Sequence, residues 1–234
     1  MKKVTHKEQQ EAWEKEHQKP HVLLQMDSEK ASAGVELFLA WLKERGVETV
    51  GLKAVEMGCG KGRNCIWLAE QGLEATGFDF SNAAIEEAKR RAQVRGFAEK
   101  AKFVVQDATT KWQFDNESFD IAVDCFASTD IEGEENRAFA VSEFKRVLKP
   151  GGYLVVYTLS TEDGFHKEMV EKSPASEKNS FVHPTGKFEK VFDDEEIAEI
   201  YKDFKLVEKR RLKKEPVFFG KAYPSNHYWL VYQK

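Results

Sequence analysis

The 234-residue chain predicts an α/β fold: a doubly wound, mostly parallel sheet with helices on both faces. Three observations carry that prediction. From Ala54 onward, short apolar runs alternate with longer helical patterns, the signal of parallel strands joined by helical crossovers. The first apolar run ends in Val55-Glu56-Met57-Gly58-Cys59-Gly60-Lys61-Gly62, three alternate glycines behind an acid. After a long polar stretch, two strand-like segments, Lys205 to Leu212 and Tyr228 to Gln233, close the chain.

The elements follow in order. Glu8 to Gln18 is helical in composition, and Ala31 to Arg45 spaces Val35, Leu37, Phe38, Trp41 and Leu42 so that one face packs on the sheet. Residues 1–52 are therefore expected to form N-terminal cap helices ahead of a single core, 53–234. Strands are expected at Ala54 to Met57, Ala75 to Phe78, Lys102 to Val105, Ile121 to Asp124 and Tyr153 to Thr158. Helices lie between them at Arg63 to Gln71, Asn82 to Arg95 with Ser81 as N-cap, and Glu134 to Leu148. Each crossover is long enough to return to a parallel neighbour. Residues 160–190 hold Pro174 and Pro184 and lack a sustained period, so a lid or insertion is expected there, before a helix at Asp194 to Phe204. The loop through Pro216 and Pro224 would join the last two strands as a hairpin at the sheet edge.

Composition narrows the partners. With 36 basic and 40 acidic residues the net charge is -4, which argues against a polyanion such as nucleic acid. The basic run Lys209, Arg210, Arg211, Lys213 and Lys214 reads as a solvated strand edge. Cys59, Cys65 and Cys125 have neither metal-site nor disulfide spacing, and an odd count fits a reduced compartment, so no metal is expected. The charged N-terminus lacks a signal-peptide core and no apolar run reaches about 18 residues, the length a span requires. A cytoplasmic location without membrane residence is expected.

The glycine run is the strongest pointer to chemistry. Glycine is used where the chain takes φ > 0 or where a ligand must approach closer than a Cβ allows. Neither the dinucleotide spacing G-x-G-x-x-G nor the triphosphate ending G-K-S/T is present. Glu56 would repel a pyrophosphate but suits a cation. A glycine-rich turn without a ligand is the competing reading of this segment alone.

Val55 to Gly62 resembles the first motif of the class I S-adenosylmethionine-dependent methyltransferases, an acid, any residue, then G-x-G-x-G. The resemblance extends over Lys53 to Thr158 and includes the turn Lys149-Pro150-Gly151-Gly152. It implies a Rossmann-like seven-stranded sheet with an antiparallel C-terminal strand, and S-adenosyl-L-methionine as cofactor with S-adenosyl-L-homocysteine as product. It also implies a donor site at the strand ends: Glu56, Gly58, Cys59, Gly60 and Gly62 on the first loop, then Asp79, Phe80, Gln106, Asp107, Ala108, Asp124 and Cys125. Asp79, 17 residues after Gly62, would accept the ribose hydroxyls, although an acid at a helix N-terminus is also favoured by the dipole. Phe80 would pack on the adenine. Asp107 would accept from the adenine amino group, and Asp124 would stand beside the methyl donor. The segment after Asp124 is neither N/D-P-P-Y/F nor P-C, so Cys125 is expected to pack rather than attack.

For the acceptor, the resemblance points to a pocket touching Trp13, Phe126 and Tyr228, with Trp13 either a core anchor or a lid over the pocket. No universal catalytic residue is required, because the reaction is an in-line displacement on an activated carbon. Where the nucleophile carries a proton, His166, His183 and His227 are the candidate bases. Gly186 to Asp193 resembles the tellurite-resistance and thiopurine branch, and a small-molecule acceptor is the first expectation. A protein or RNA acceptor, a non-catalytic S-adenosylmethionine-binding module and a nicotinamide-type Rossmann enzyme are the alternatives. The chain is expected to be a monomer or homodimer.

Overall fold

A computed structural model describes residues 2–19, 28–218 and 220–234. Its central sheet has the order β3-β2-β1-β4-β5-β11-β8. The strands are β1 (Lys53–Met57), β2 (Glu74–Asp79), β3 (Ala101–Val105), β4 (Phe119–Cys125), β5 (Leu148–Leu159), β8 (Lys205–Lys214) and β11 (Ser225–Gln233). β1 to β5 run parallel, and β11 is antiparallel to both neighbours. The C-terminal strand thus enters between β5 and β8, and β8 forms the edge. Strand order reverses between β1 and β4, where Met57 lies opposite Asp124. That reversal opens the crevice in which such sheets place ligands.

Period-two alternation divides the core. On one face Ala54, Val123, Val155 and Trp229 pack with α2 (Ala33–Glu44), α3 (Arg63–Glu70) and α4 (Asn82–Val94). On the other, Met57, Ala122, Val156 and Leu230 pack with α5 (Glu134–Val147) and α7 (Asp194–Ile200). Trp229 Nε1 donates to the carbonyl of Gly34 at 2.8 Å, which fastens α2 to β11. No helix among the described residues is long and apolar enough to cross a membrane.

Two parts of the chain lie at the carboxyl ends of the strands. The first is α1 (His6–Gln18), started by a capping box in which Thr5 and Glu8 bond reciprocally. The second is residues 160–190, which hold α6 (Gly164–Lys172) and a short hairpin, β6 (Ser180–Val182) with β7 (Phe188–Lys190). Phe181 and Phe188 are buried there. Strands of three residues are too short to print a period, which is why this stretch reads as irregular in sequence. A second small hairpin, β9 (Val217–Phe218) with β10 (Lys221–Ala222), fills the loop before β11.

Candidate functional site

The glycine loop takes the conformation its residues permit. Gly58, Gly60 and Gly62 all have positive φ, at 61°, 51° and 80°. Two of them are also required by packing. A Cβ on Gly58 would stand 2.6 Å from the Ala127 Cβ, and one on Gly62 would stand 2.6 Å from Phe103 Cζ. Gly60 differs, since a Cβ there would meet only His17 Cε1, at 3.6 Å. Its backbone is therefore the open part of the loop.

Glu56 lies behind the loop, 2 % exposed, and accepts from Asn64 Nδ2 at 2.6 Å and Cys65 Sγ at 3.1 Å. Burial pushes its carboxyl up to about 7. Asn64 in turn accepts from the Ser32 amide, which links the loop to the start of α2. Asp79 ends β2 and accepts from the amides of Gly60 (3.0 Å) and Ser81 (2.9 Å). Burial raises it to about 6. The thiols of Cys59 and Cys65 are buried and held protonated far above their usual range. Phe80 is half-buried, edge-on to His6.

After β3, Asp107 receives four donors. Thr109 gives its amide and hydroxyl to Oδ1, while His6 Nε2 (2.6 Å) and Gln10 Nε2 (3.0 Å) meet Oδ2. Burial works to raise Asp107, but the bonds from Thr109 and His6 outweigh it and its pKa falls. Gln106 donates to the Asp107 carbonyl and to Thr110, and its buried Oε1 has no hydrogen-bond partner among the described residues. The Ala108 carbonyl accepts from Trp112 Nε1.

Two expected site residues lie elsewhere. Asp124 is fully buried, accepts from the Tyr201 hydroxyl at 2.7 Å and the Ser128 amide at 3.1 Å, and so points into the core toward α7. Tyr228 is also buried, with its hydroxyl donated to Asp194 and Arg211 over its ring. The reason is the alternation of β11: His227 and Tyr228 are neighbours and must face opposite sides. His227, not Tyr228, meets Phe126. Cys125 donates to Ser32 Oγ at 3.1 Å, and burial pushes its thiol up to about 11, so it packs as a thiol.

Phe126 itself holds φ 64°, rare for a bulky residue. Its ring packs on Tyr157 (4.6 Å between centroids) and His227 (5.3 Å). His227 and His166 converge on one carboxylate, Asp163: His166 Nδ1 lies 2.6 Å from Oδ1 and His227 Nε2 lies 3.2 Å from Oδ2. Asp163 is 1 % exposed and also accepts from the amides of His166 and Asn226. Although burial opposes it, these bonds hold Asp163 well below the usual carboxylate range. The His183 ring bonds to Thr185 and stands outside this group. Burial lowers its pKa. Trp13 stacks on His17 and lies under Lys187 Nζ, 3.9 Å from the ring centre.

Sequence reasoning missed Asp163, Tyr157, Asn64 and the polar face of α1. The spacing Asp163-x-x-His166 at a helix start was a legible N-cap signal. The convergence of His227 from 61 positions further on than His166 was not, since only the sheet register brings β11 beside β5.

The family model described as Methyltransferase domain matches residues 55–156. A protein of Haemophilus influenzae is 32 % identical over 133 residues, 56 % of this chain and 52 % of its own length. Thiocyanate methyltransferase 1 of Brassica oleracea is 35 % identical over 117 residues, 48 % of this chain and 49 % of its own. The chain thus spans about half the length of these curated relatives. A solved S-adenosylmethionine-dependent methyltransferase from Methanosarcina mazei superposes with a TM-score of 0.71 at 25 % identity, covering 82 % of this chain and 96 % of that one. With the glycine loop, the strand-end carboxylates and the sheet order in place, these matches show that residues 55–156 are similar to the methyltransferase domain and that the chain has the fold of the class I S-adenosylmethionine-dependent methyltransferases.

Proposed function

We propose that this chain transfers a methyl group from S-adenosylmethionine to a small-molecule acceptor. The residues present fit the donor. Gly60 offers open backbone, Asp79 is fixed beside it, and the unpartnered Gln106 Oε1 is an acceptor available to an amino group. Glu56, costly to ionise where it is buried, would be relieved by a cation nearby. When bound, the donor supplies a methyl carbon already activated by the sulfonium. The protein's part is then to hold the acceptor aligned and exclude water.

The observation that carries the acceptor class is the position of α1. One helix touches the chain just after each of four strands: His17 beside Gly60, Glu14 on Ser81 and Ala83, His6 and Gln10 on Asp107, and Gln9 on the Asp130 carbonyl. Gln9 is fully buried and also pairs with the Phe188 backbone in both directions, which ties this roof to the 160–190 segment. An acceptor that reacts beneath such a roof must be small enough to be enclosed. A macromolecular acceptor finds less support, since Lys209 and Arg211 of the basic run are both paired with Asp194 and Arg210 with Glu208. The name of the Brassica relative, a thiocyanate methyltransferase, also supports a small acceptor.

Calorimetry tests the donor and a labelled-methyl screen tests the acceptor. S-adenosylhomocysteine is expected to bind, and Asp79→Ala to weaken it by about 1.5–3 kcal/mol, the worth of a charged hydrogen bond. Label should appear in added thiols, alcohols or amines. Label confined to protein or RNA fractions would overturn the small-molecule reading.

A further inference from the structure

The arrangement around Asp163 fixes more than the position of two rings. Asp163 is an ionised acceptor, so each imidazole presents an N–H to it: Nδ1–H of His166 and Nε2–H of His227. The second nitrogen of His227 is already engaged, 3.2 Å from the Tyr157 hydroxyl. The second nitrogen of His166 is not. Its Nε2 makes no hydrogen bond among the described residues, and Glu189 Oε2 stands 3.9 Å away. The ring is braced by Phe165 and Phe181, with centroids at 5.2 and 6.1 Å. In its neutral form His166 therefore presents the Nε2 lone pair, on a ring whose tautomer and orientation are set from behind by Asp163.

We propose that His166 is the base of the methyl transfer and Asp163 its positioning residue, which restricts the acceptor to nucleophiles that carry a proton: an alcohol, a thiol or an amine. The inference rests on the methyltransferase reading above. In the step, the acceptor heteroatom forms a bond to the methyl carbon. The methyl–sulfur bond breaks with its electron pair remaining on sulfur, and the heteroatom's proton passes to His166 Nε2. The imidazolium so formed lies against the Asp163 carboxylate, which stabilises it. His227, locked between Asp163 and Tyr157, holds that carboxylate from the other side. An anion such as thiocyanate needs no base, so this assignment separates the chain from its Brassica relative in acceptor class.

The test has two readouts. Long-range proton–nitrogen correlation spectra of the full chain should show His166 as the Nδ1–H tautomer, the minor form in water, and Asp163→Asn should shift it toward Nε2–H. In the labelled-methyl assay with 2-mercaptoethanol, catechol, a primary amine and thiocyanate as probes, His166→Gln should lower transfer to the protic probes at least 100-fold. Its affinity for S-adenosylhomocysteine should stay within twofold of wild type. An Nε2–H tautomer in wild type overturns the positioning role. Equal transfer by wild type and His166→Gln, transfer to thiocyanate alone, or transfer to no probe while S-adenosylhomocysteine binds overturns the base. Failure to bind S-adenosylhomocysteine at all sinks the methyltransferase reading instead, and the tautomer result then stands on its own.

Discussion

His6 Nε2 stands 2.6 Å from Asp107 Oδ2, a contact that joins the first turn of α1 to the turn after β3 across 101 positions. The other ring nitrogen meets Glu132, beyond β4. One imidazole thus bridges two strand ends and fastens α1 beside the proposed donor site.

That bridge makes α1 docking depend on pH. Burial works to lower His6 and to raise Glu132; for His6 the bonds to Asp107 and the charge of Glu132 outweigh it, whereas for Glu132 burial wins. Both groups therefore bind protons more tightly in the folded state: the stability Glu132 contributes is lost as pH rises above about 4.5, whereas that of His6 is present below about pH 6.5 and lost as pH rises through its folded value. Amide exchange of residues 6–18, corrected for intrinsic rates, should show protection falling between pH 6 and 8.5. His6→Ala should show low protection throughout; identical protection of wild type at both pH values would refute the bridge.

Glu56 gives a second dependence. Its folded pKa of about 7 exceeds its ordinary value of 4.5, so the folded chain keeps a proton that the unfolded chain has released. Stability is lost as pH rises from about 4.5 to 7, by on the order of 3 kcal/mol from this group. Asp79, raised to about 6, acts in the same direction in both wild type and a Glu56 variant. Denaturant melts of Glu56→Gln and wild type should therefore diverge with pH, the variant gaining on wild type from pH 5 to pH 8. A pH-independent gap would show that Glu56 titrates normally.

A cation bound beside Glu56 should lower its pKa and expel the proton. At pH 7 the group is about half protonated, so S-adenosylmethionine binding should release up to about half a proton. Calorimetric enthalpies in two buffers of different ionisation heat measure this directly. Enthalpies that do not differ between buffers would place the cation away from Glu56.

The glycines should separate folding from binding. Gly62→Ala sets a Cβ against Phe103 and Ala88 at positive φ, and overpacking of this kind costs about 1–3 kcal/mol. Gly60→Ala meets no such wall, so it should cost about 1 kcal/mol of backbone strain yet weaken S-adenosylhomocysteine at least tenfold. Equal affinity of Gly60→Ala and wild type, measured by calorimetry, would mean that no ligand approaches this backbone.

Much of the proposed donor site could be located from the sequence because its candidate residues lie at or near strand ends. Glu56, Asp79 and Asp107 are each adjacent to an apolar run, and the run fixes their place at the carboxyl edge of the sheet. Side-chain direction could not be read the same way. Asp124 and Tyr228 are correctly placed along their strands but lie on the α7 side, since a one-residue difference in register exchanges the two faces. The roof was illegible for another reason: α1 has few apolar residues, and its contacts run through His6, Gln9, Gln10 and Glu14, a polar face that in sequence resembles any solvated helix.

The placement of Asp124 can be tested through its partner. The Tyr201 hydroxyl donates to Asp124 Oδ2 at 2.7 Å, and burial pushes the Asp124 carboxyl up. Tyr201→Phe keeps the ring, which stacks on Tyr232 at 5.0 Å, and removes the hydroxyl that makes this bond. A buried acceptor left without its partner costs about 1–3 kcal/mol. The variant should therefore unfold at lower denaturant concentration with an unchanged slope, and bind S-adenosylhomocysteine as wild type does. If instead its stability held while ligand affinity fell tenfold, Asp124 would belong to the donor site, because only a carboxylate turned toward the crevice could pass the loss of Tyr201 to the ligand and spare the core.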